Sequence, residues 1–294
     1  MRLLALLSAV SMCAAGSVIY DGRAPLTLTQ ADLDASRGPY LTAVKGQNQS
    51  ASHYSTLLGS KRLPTALWNR PGKPIEQAVA VSIDSTSVFV PGGGAPQLGF
   101  RRTELIAQVN GSSSVLDPLI ESPGLTSVFH FSIKMDESRP LNYSHEYQIV
   151  FIEPNDGSHV FEVQLGSPFT IPTGNLPTAD AHSFKIRDHA LNVLFETPFV
   201  PSKWHNFAVT VDWSKLTLAV AYSVDGAQLK DVSGTKANSG VTAGALGDFH
   251  FGVLKLPIAD PSDTAAHQGD VVHFGIQEAK SEALLYSGVF VETL

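Results

Sequence analysis

A chain of 294 residues with 43% hydrophobic and only 16% charged residues has enough apolar side chains for a sizeable core. Its formal net charge of −7 disfavours nucleic acid as a partner, because phosphate backbones need a basic footprint. The same charge argues more weakly against an acidic polymer as preferred substrate, since a local basic cleft overrides net charge.

Residues 1–16 read as a secretory leader. Arg2 gives the positive start, Leu3–Ala15 is an apolar run, and Ala14-Ala15-Gly16 offers small residues for cleavage. The run is too short to span a membrane, and no later run is longer. The mature protein is therefore expected to be secreted, soluble and monomeric. Cys13, the single cysteine, lies within the leader. The mature chain is then expected to hold no disulfide, no thiol nucleophile and no cysteine-ligated zinc. Sequons at Asn48, Asn110 and Asn142 fit an exported, glycosylated surface.

Val18–Arg23 reads as a first strand and turn. Residues 24–75 are rich in Ser, Gly, Asn and Pro and read as irregular, with a helical turn or two over Thr29–Ser36. From residue 76 the chain reads as strands, over Gln77–Ser82, Ser87–Val90, Phe100–Gln108, Ser127–Met135, Glu146–Ile152, His159–Leu165, Ser183–Ile186, Asn192–Phe195, His205–Trp213, Leu216–Ser223, Asp248–Leu254, Val271–Glu278 and Leu284–Glu292. No long stretch has helical periodicity. Many short strands at short spacing predict an all-β antiparallel sandwich of jelly-roll type, one domain over residues 17–294.

The stretch His145–Gly166 reads as a hairpin around Asn155-Asp156-Gly157, where Gly takes the positive φ of a tight turn. Glu146, Gln148, Val150 and Ile152 alternate with Tyr147, Ile149 and Phe151; Val160, Glu162 and Gln164 alternate with Phe161, Val163 and Leu165. A sheet face of carboxylates and amides suits a sugar polymer, which offers hydroxyls to bind and glycosidic oxygens to protonate.

Parity also puts Arg102 and Glu104 on one face. The guanidinium keeps that carboxylate ionised, although a structural ion pair reads equally well. Glu146 precedes an apolar run, an environment that lets a carboxyl hold its proton near neutral pH. Glu162 is the reserve candidate, and Glu153, before Pro154, reads as a turn residue. His250 shares a side with Asp248, away from Phe249 and Phe251, and there meets a water or a sugar hydroxyl. His130 is a weaker cleft candidate, and His205 reads as core edge. Tyr147, Trp204 and Trp68 are candidates to stack on sugar rings, although aromatics are more often core. No metal-ligand spacing, GxSxG or phosphate-cradling loop occurs, so no metal or organic cofactor is expected.

Taken together, VIYDGR, FRRTEL, EYQIVFIEPNDGSHVFEVQLG, WHNFAVTVDW, GDFHFGVLKLP, VVHFGIQE and LLYSGVFVE resemble, in order, the fungal enzymes of glycoside hydrolase family 131. The resemblance runs from residue 18 to the C-terminus. It implies a jelly roll with an open cleft on one sheet and hydrolysis of β-glucans with β-1,3, β-1,6 and β-1,4 linkages. It implies Glu104 and Glu146 as essential carboxylates, with His250 in the cleft, and Arg102, Gln148, Tyr147, Trp204 and His130 are then candidate substrate contacts. Two carboxylates suffice for glycoside hydrolysis: one protonates the leaving oxygen and the other activates water or attacks the sugar. Arg102 favours Glu104 as base or nucleophile and Glu146 as acid, an assignment that is reversible. Two other classes share this architecture. A polysaccharide lyase would give ultraviolet-absorbing unsaturated ends, and a glucan-binding lectin would release no reducing ends.

Overall fold

The structure, a computed structural model, describes residues 16–294 except 71, 122, 123, 125 and 242–245. Apart from Gly16, the expected leader with Cys13 lies outside the described residues. Two antiparallel sheets pack face to face, as the strand pattern predicts. The first runs, in spatial order, Val193–Pro198, Ser183–Asp188, Phe161–Gly166, Glu146–Glu153, Asp248–Lys255, Arg101–Ala107 and Tyr40–Val44. The second runs Lys230–Asp231, Thr217–Val224, His205–Asp212, Thr126–Met135, Glu282–Thr293, Val79–Ile83 and Ser55–Leu57. In it Ser17–Asp21 also pairs with Glu282–Thr293, and Lys236–Ala237 with Thr217–Val224. Among the described residues no helix is long and apolar enough to cross a membrane.

The core lies between the sheets. Phe249, Phe251 and Val253 from the first sheet face Phe129, Phe131 and Ile133 from the second, with Phe207, Val209 and Val211 beside them, all at most 3% exposed. Phe129 meets Phe161 and Phe249 edge-on, at 5.6 and 5.1 Å between ring centres, an arrangement that aligns ring quadrupoles favourably.

Two expected strands are absent. Residues 87–90 accept only scattered backbone bonds, from Arg102 N at Ser87 O and from Gln97 N at Phe89 O, and then give way to Pro91-Gly-Gly-Gly. Residues 271–278 fold back as a turn on Asp270, with Gly275 at φ +114°, and pair only through Ile276 and Ile258. Conversely, the stretch 24–75 carries two short strands, at or next to sheet edges, and a helix over Gln30–Asp34. Thr29 and Asp32 close a capping box at its start.

One local feature sets the geometry of the first sheet. Two transverse rows cross it: Lys185–Gln164–Gln148–Leu254–Arg102 and Arg187–Glu162–Phe151–His250–Ile106. Between those rows the strand of Glu162 has only Val163. The strand of Gln148 has Ile149 and Val150, and the strand of His250 has Phe251, Gly252 and Val253. The sheet therefore fans open towards Glu104, in the manner of a β-bulge. The extra residue reverses the alternation after Gln148: Ile149, Val150 and Ile152 are core, while Phe151 and Glu153 turn to the outer face. On the other side of its strand Gly252 runs close against Arg101–Ala107, where nothing larger fits. A Cβ there would lie 2.3 Å from Thr103 O and 2.7 Å from Glu104 Cα. From the facing sheet, the buried hydroxyl of Tyr286 reaches the carbonyls of Gly252 and Ile149, the latter at 3.2 Å.

Tyr286→Phe removes the only donor in this contact while keeping the ring. An unpartnered buried carbonyl costs about 1–3 kcal/mol, and each kcal/mol lowers the midpoint by roughly 2–4 °C in a domain of this size. The variant is expected to melt several degrees below wild type by calorimetry with an unchanged far-ultraviolet spectrum; an unchanged midpoint would show that the hydroxyl does not clamp the bulge.

Candidate active site

The outer face of the first sheet forms the floor of a cleft of 520 Å³. Gln97, Phe100, Leu256 and Val272 line one side. The other is lined by Gly157, Ser158 and His159 from the Asp-Gly hairpin, and by His189 and Leu191.

Arg102 lines this floor and forms one charged unit with the buried Glu104 and His250. Arg102 donates through Nε to Glu104 Oε1 at 2.7 Å and through Nη2 to Oε2 at 2.8 Å, a bidentate pair. His250 Nδ1 lies 2.7 Å from the same Oε2. The Glu104 side chain is 0% exposed. Burial works to raise its pKa, but the Arg102 charge and the His250 bond outweigh burial and hold it at about 2. Arg102 in turn sits over the Phe89 ring, 5.5 Å from its centre, and its Nη1 is 3.4 Å from Gln97 Oε1.

A second unit of the same composition stands across Phe151. Arg187 donates to Glu162 Oε1 and, through Nη2, to Glu146 Oε1 at 2.5 Å. His159 Nδ1 lies 2.5 Å from Glu162 Oε2. Burial again works to raise the Glu162 pKa, and the His159 bond and the Arg187 charge bring it below the usual range. Glu146 also accepts from Phe169 N at 2.7 Å and from Gln148 Nε2 at 3.2 Å. The Phe151 ring is stacked between the two imidazoles, 4.3 Å from His159 and 4.9 Å from His250.

The structure thus brings Arg102, Glu104, His250 and Gln148 to one face, and Glu162 with them. Glu104 and Glu146 are not on neighbouring strands: Asp248–Lys255 runs between theirs, and each carboxylate belongs to its own ion cluster. Three candidate contacts lie elsewhere. Tyr147 is fully buried on the core side, its hydroxyl 2.5 Å from Glu282 Oε2. Trp204 packs with Ala78, Ala80 and Leu285 on the outer side of the second sheet, its indole N–H on Leu63 O. His130 stacks on Phe290 beside Trp68 and pairs with Glu292, also on the second sheet. Strand parity says which residues share a face but not which sheet or side is open. His205 is buried against Tyr222, as expected.

Sequence reasoning missed Glu153, His159 and Arg187. Arg187 and Lys185 alternate with Phe184 and Ile186, a signal that was present. Glu153 was hidden by the reversal at Ile149–Val150. Its side chain is 31% exposed in the cleft, 3.8 Å from Arg102 Nη2 and 3.9 Å from His250 Nε2. Among the described residues, no cluster of three or more histidine, cysteine or carboxylate side chains is arranged to hold a metal ion.

Known proteins share this arrangement of strands. The catalytic domain of a glycoside hydrolase family 131 protein from Coprinopsis cinerea superposes with a TM-score of 0.66 at 23% identity, over 94% of each chain. A GH131 β-glucanase catalytic domain from Podospora anserina superposes with a TM-score of 0.68 at 22% identity, over 94% of this chain and 96% of that one. No curated protein matches the chain. Residues 18–294 match the family model described as the glycoside hydrolase 131 catalytic N-terminal domain, and the chain therefore belongs to glycoside hydrolase family 131 and is a glycoside hydrolase.

Proposed function

We propose that the protein is a secreted β-glucanase, a monomer whose residues 17–294 are one catalytic domain. Its substrates are β-glucans with β-1,3, β-1,6 and β-1,4 linkages. The observation that carries this reading is the Arg102–Glu104–His250 unit, which reaches an open cleft through Arg102. Support for the substrate class comes from the Podospora anserina relative, which is named a β-glucanase.

In this reading Glu104 and Glu146 supply the two carboxylates that glycoside hydrolysis requires. Glu104 is ionised and has both oxygens engaged, so it works through His250. With the Nδ1 proton donated to Glu104, Nε2 is a free acceptor for the proton of an attacking water. Glu146, at the other end of the Gln148 strand face, protonates the leaving oxygen in this reading; Arg187, Gln148 and Phe169 N all donate to its carboxylate and favour the charged form, so it must take up its proton when substrate binds. Arg102 and Gln148 bind sugar hydroxyls. The chemistry draws on side chains alone and uses no metal or organic cofactor.

Export removes residues 1–16 or close to it. Asn48 and Asn110 are exposed and suited to carry glycans. The Asn142 amide donates to Glu278, so a glycan there would have to give up that bond.

Glu104→Gln and Glu146→Gln keep shape and remove the ionisable group. Each is expected to lower release of reducing ends from linkage-defined β-glucans by at least ~100-fold without unfolding the protein; near-normal turnover by a folded Glu104→Gln variant would refute its role. Products without ultraviolet-absorbing ends are expected throughout, and unsaturated ends would instead mark a lyase.

Acid stability provides a separate check on Glu104. Its folded pKa, about 2, lies below the unfolded value of about 4.3. Its ionisation therefore stabilises the fold above that unfolded value, and this contribution is lost as pH falls towards 2. Between pH 5 and pH 3 the wild type should lose more melting temperature than Glu104→Gln; equal losses would contradict the charged, buried assignment.

A further inference from the structure

We propose that Glu153 is a further catalytic residue, which holds the attacking water jointly with His250. This rests on the hydrolase reading above. Glu104 is closed to water, since Arg102 and His250 take both its oxygens and its side chain is 0% exposed. His250 presents its other nitrogen, Nε2, towards Glu153 Oε2 at 3.9 Å. Glu153 is the open carboxylate of this region, with 31% of its side chain exposed, against 1% for Glu162 and 6% for Glu146. Among the described residues no hydrogen bond engages the Glu153 carboxylate; its charged neighbours are His250 and Arg102 Nη2 at 3.8 Å.

The 3.9 Å spacing is too long for a direct bond and too short to be empty of consequence. A single water donating one hydrogen to each acceptor, with legs of about 2.8 Å, spans roughly 4–4.5 Å, so the pair admits one water if the exposed Glu153 side chain moves by a few tenths of an ångström. His250 Nε2 and Glu153 Oε2 are therefore set to grip both hydrogens of one water and aim its lone pair into the cleft. The bulge at Ile149–Val150 creates this placement, because regular alternation would have sent Glu153 to the core.

The step balances as follows. The water oxygen bonds to the anomeric carbon as the bond from that carbon to the glycosidic oxygen breaks. One water proton passes to His250 Nε2, and the leaving oxygen takes the proton of Glu146. The second water hydrogen remains on the new hydroxyl, held by Glu153. His250 is left as a cation flanked by the carboxylates of Glu104 and Glu153, and it returns its proton to Glu146 through solvent.

The test compares Glu153→Ala, Glu153→Gln and wild type on a soluble β-glucan, with melting temperature measured for each. Glu153→Ala is expected to lose at least ~100-fold in kcat, the scale of a lost acid–base partner, with KM within about threefold and an unchanged midpoint. Added formate should restore at least ~10-fold of the Glu153→Ala rate by occupying the vacated site, and Glu153→Gln should fall between the two. A wild-type kcat in Glu153→Ala would overturn the proposal. So would a loss that appears in KM alone or that formate leaves unchanged, since a merely structural or binding role predicts those results. The hydrolase reading fails separately, if wild type releases no reducing ends from any β-glucan. An active wild type, an inactive Glu104→Gln and a fully active Glu153→Ala would sink only the present inference.

Discussion

The site depends on a mismatch of strand lengths held open from beneath. Three adjacent strands cover the same distance between two rows with one, two and three residues. Left to itself a sheet closes such a gap by slipping register, which would flip every following side chain to the other face. Here Tyr286 of the opposite sheet holds the Ile149 and Gly252 carbonyls at the widening. Its own strand is fixed nearby by Glu76, whose carboxylate accepts from Gly288 N and Ser287 Oγ at a second irregularity. The two sheets are thus locked at their respective bulges, and the cleft floor inherits its curvature from that lock.

The wedge then decides which charges meet. Gly252, with no side chain, lets its strand lie close to the backbone of Thr103 and Glu104, and the neighbouring row brings His250 against Phe151. Burying an Arg–Glu pair is rarely a gain in stability, because desolvation cancels most of the attraction unless further hydrogen bonds complete the group. Both units supply those bonds with an imidazole, and both lie at the cleft. Their retention is better explained by function than by stability, because apolar side chains of similar volume would fill a sheet face at no such cost.

Most strands after residue 76, the Asp-Gly hairpin and the shared faces of Arg102 with Glu104 and of Asp248 with His250 were legible from alternation, because period-two patterning is imposed by the pleat. What alternation does not contain is where it breaks. Nothing in Gln148-Ile149-Val150-Phe151 distinguishes a bulge from a regular strand, since Ile and Val suit either. The apparent core residue Phe151 and the apparent turn residue Glu153 therefore escaped. Pairings between distant strands were equally hidden, and so Arg187 was not joined to Glu162 and Glu146. Trp204, Tyr147 and His130 show the complementary error. Residue type suggested sugar contact, but which of four sheet surfaces faces the cleft is a property of the assembled sandwich.

The two units share a composition that bears on how protons move here. Each contains one arginine, one histidine and two glutamates: Arg102, His250, Glu104 and Glu153 in the first, Arg187, His159, Glu162 and Glu146 in the second. With a neutral imidazole and both carboxylates ionised, each carries a formal charge of minus one; with an imidazolium, each is neutral. In the mechanism proposed above, proton uptake by His250 brings the first unit to a neutral total. In the same proposal, proton loss from Glu146 leaves its unit with a negative charge beside Arg187. Phe151, stacked between the imidazoles, keeps the two units at a fixed spacing and prevents them from merging into a single ion network. On that proposal, one side accepts a proton while the other, held apart from it, gives one up.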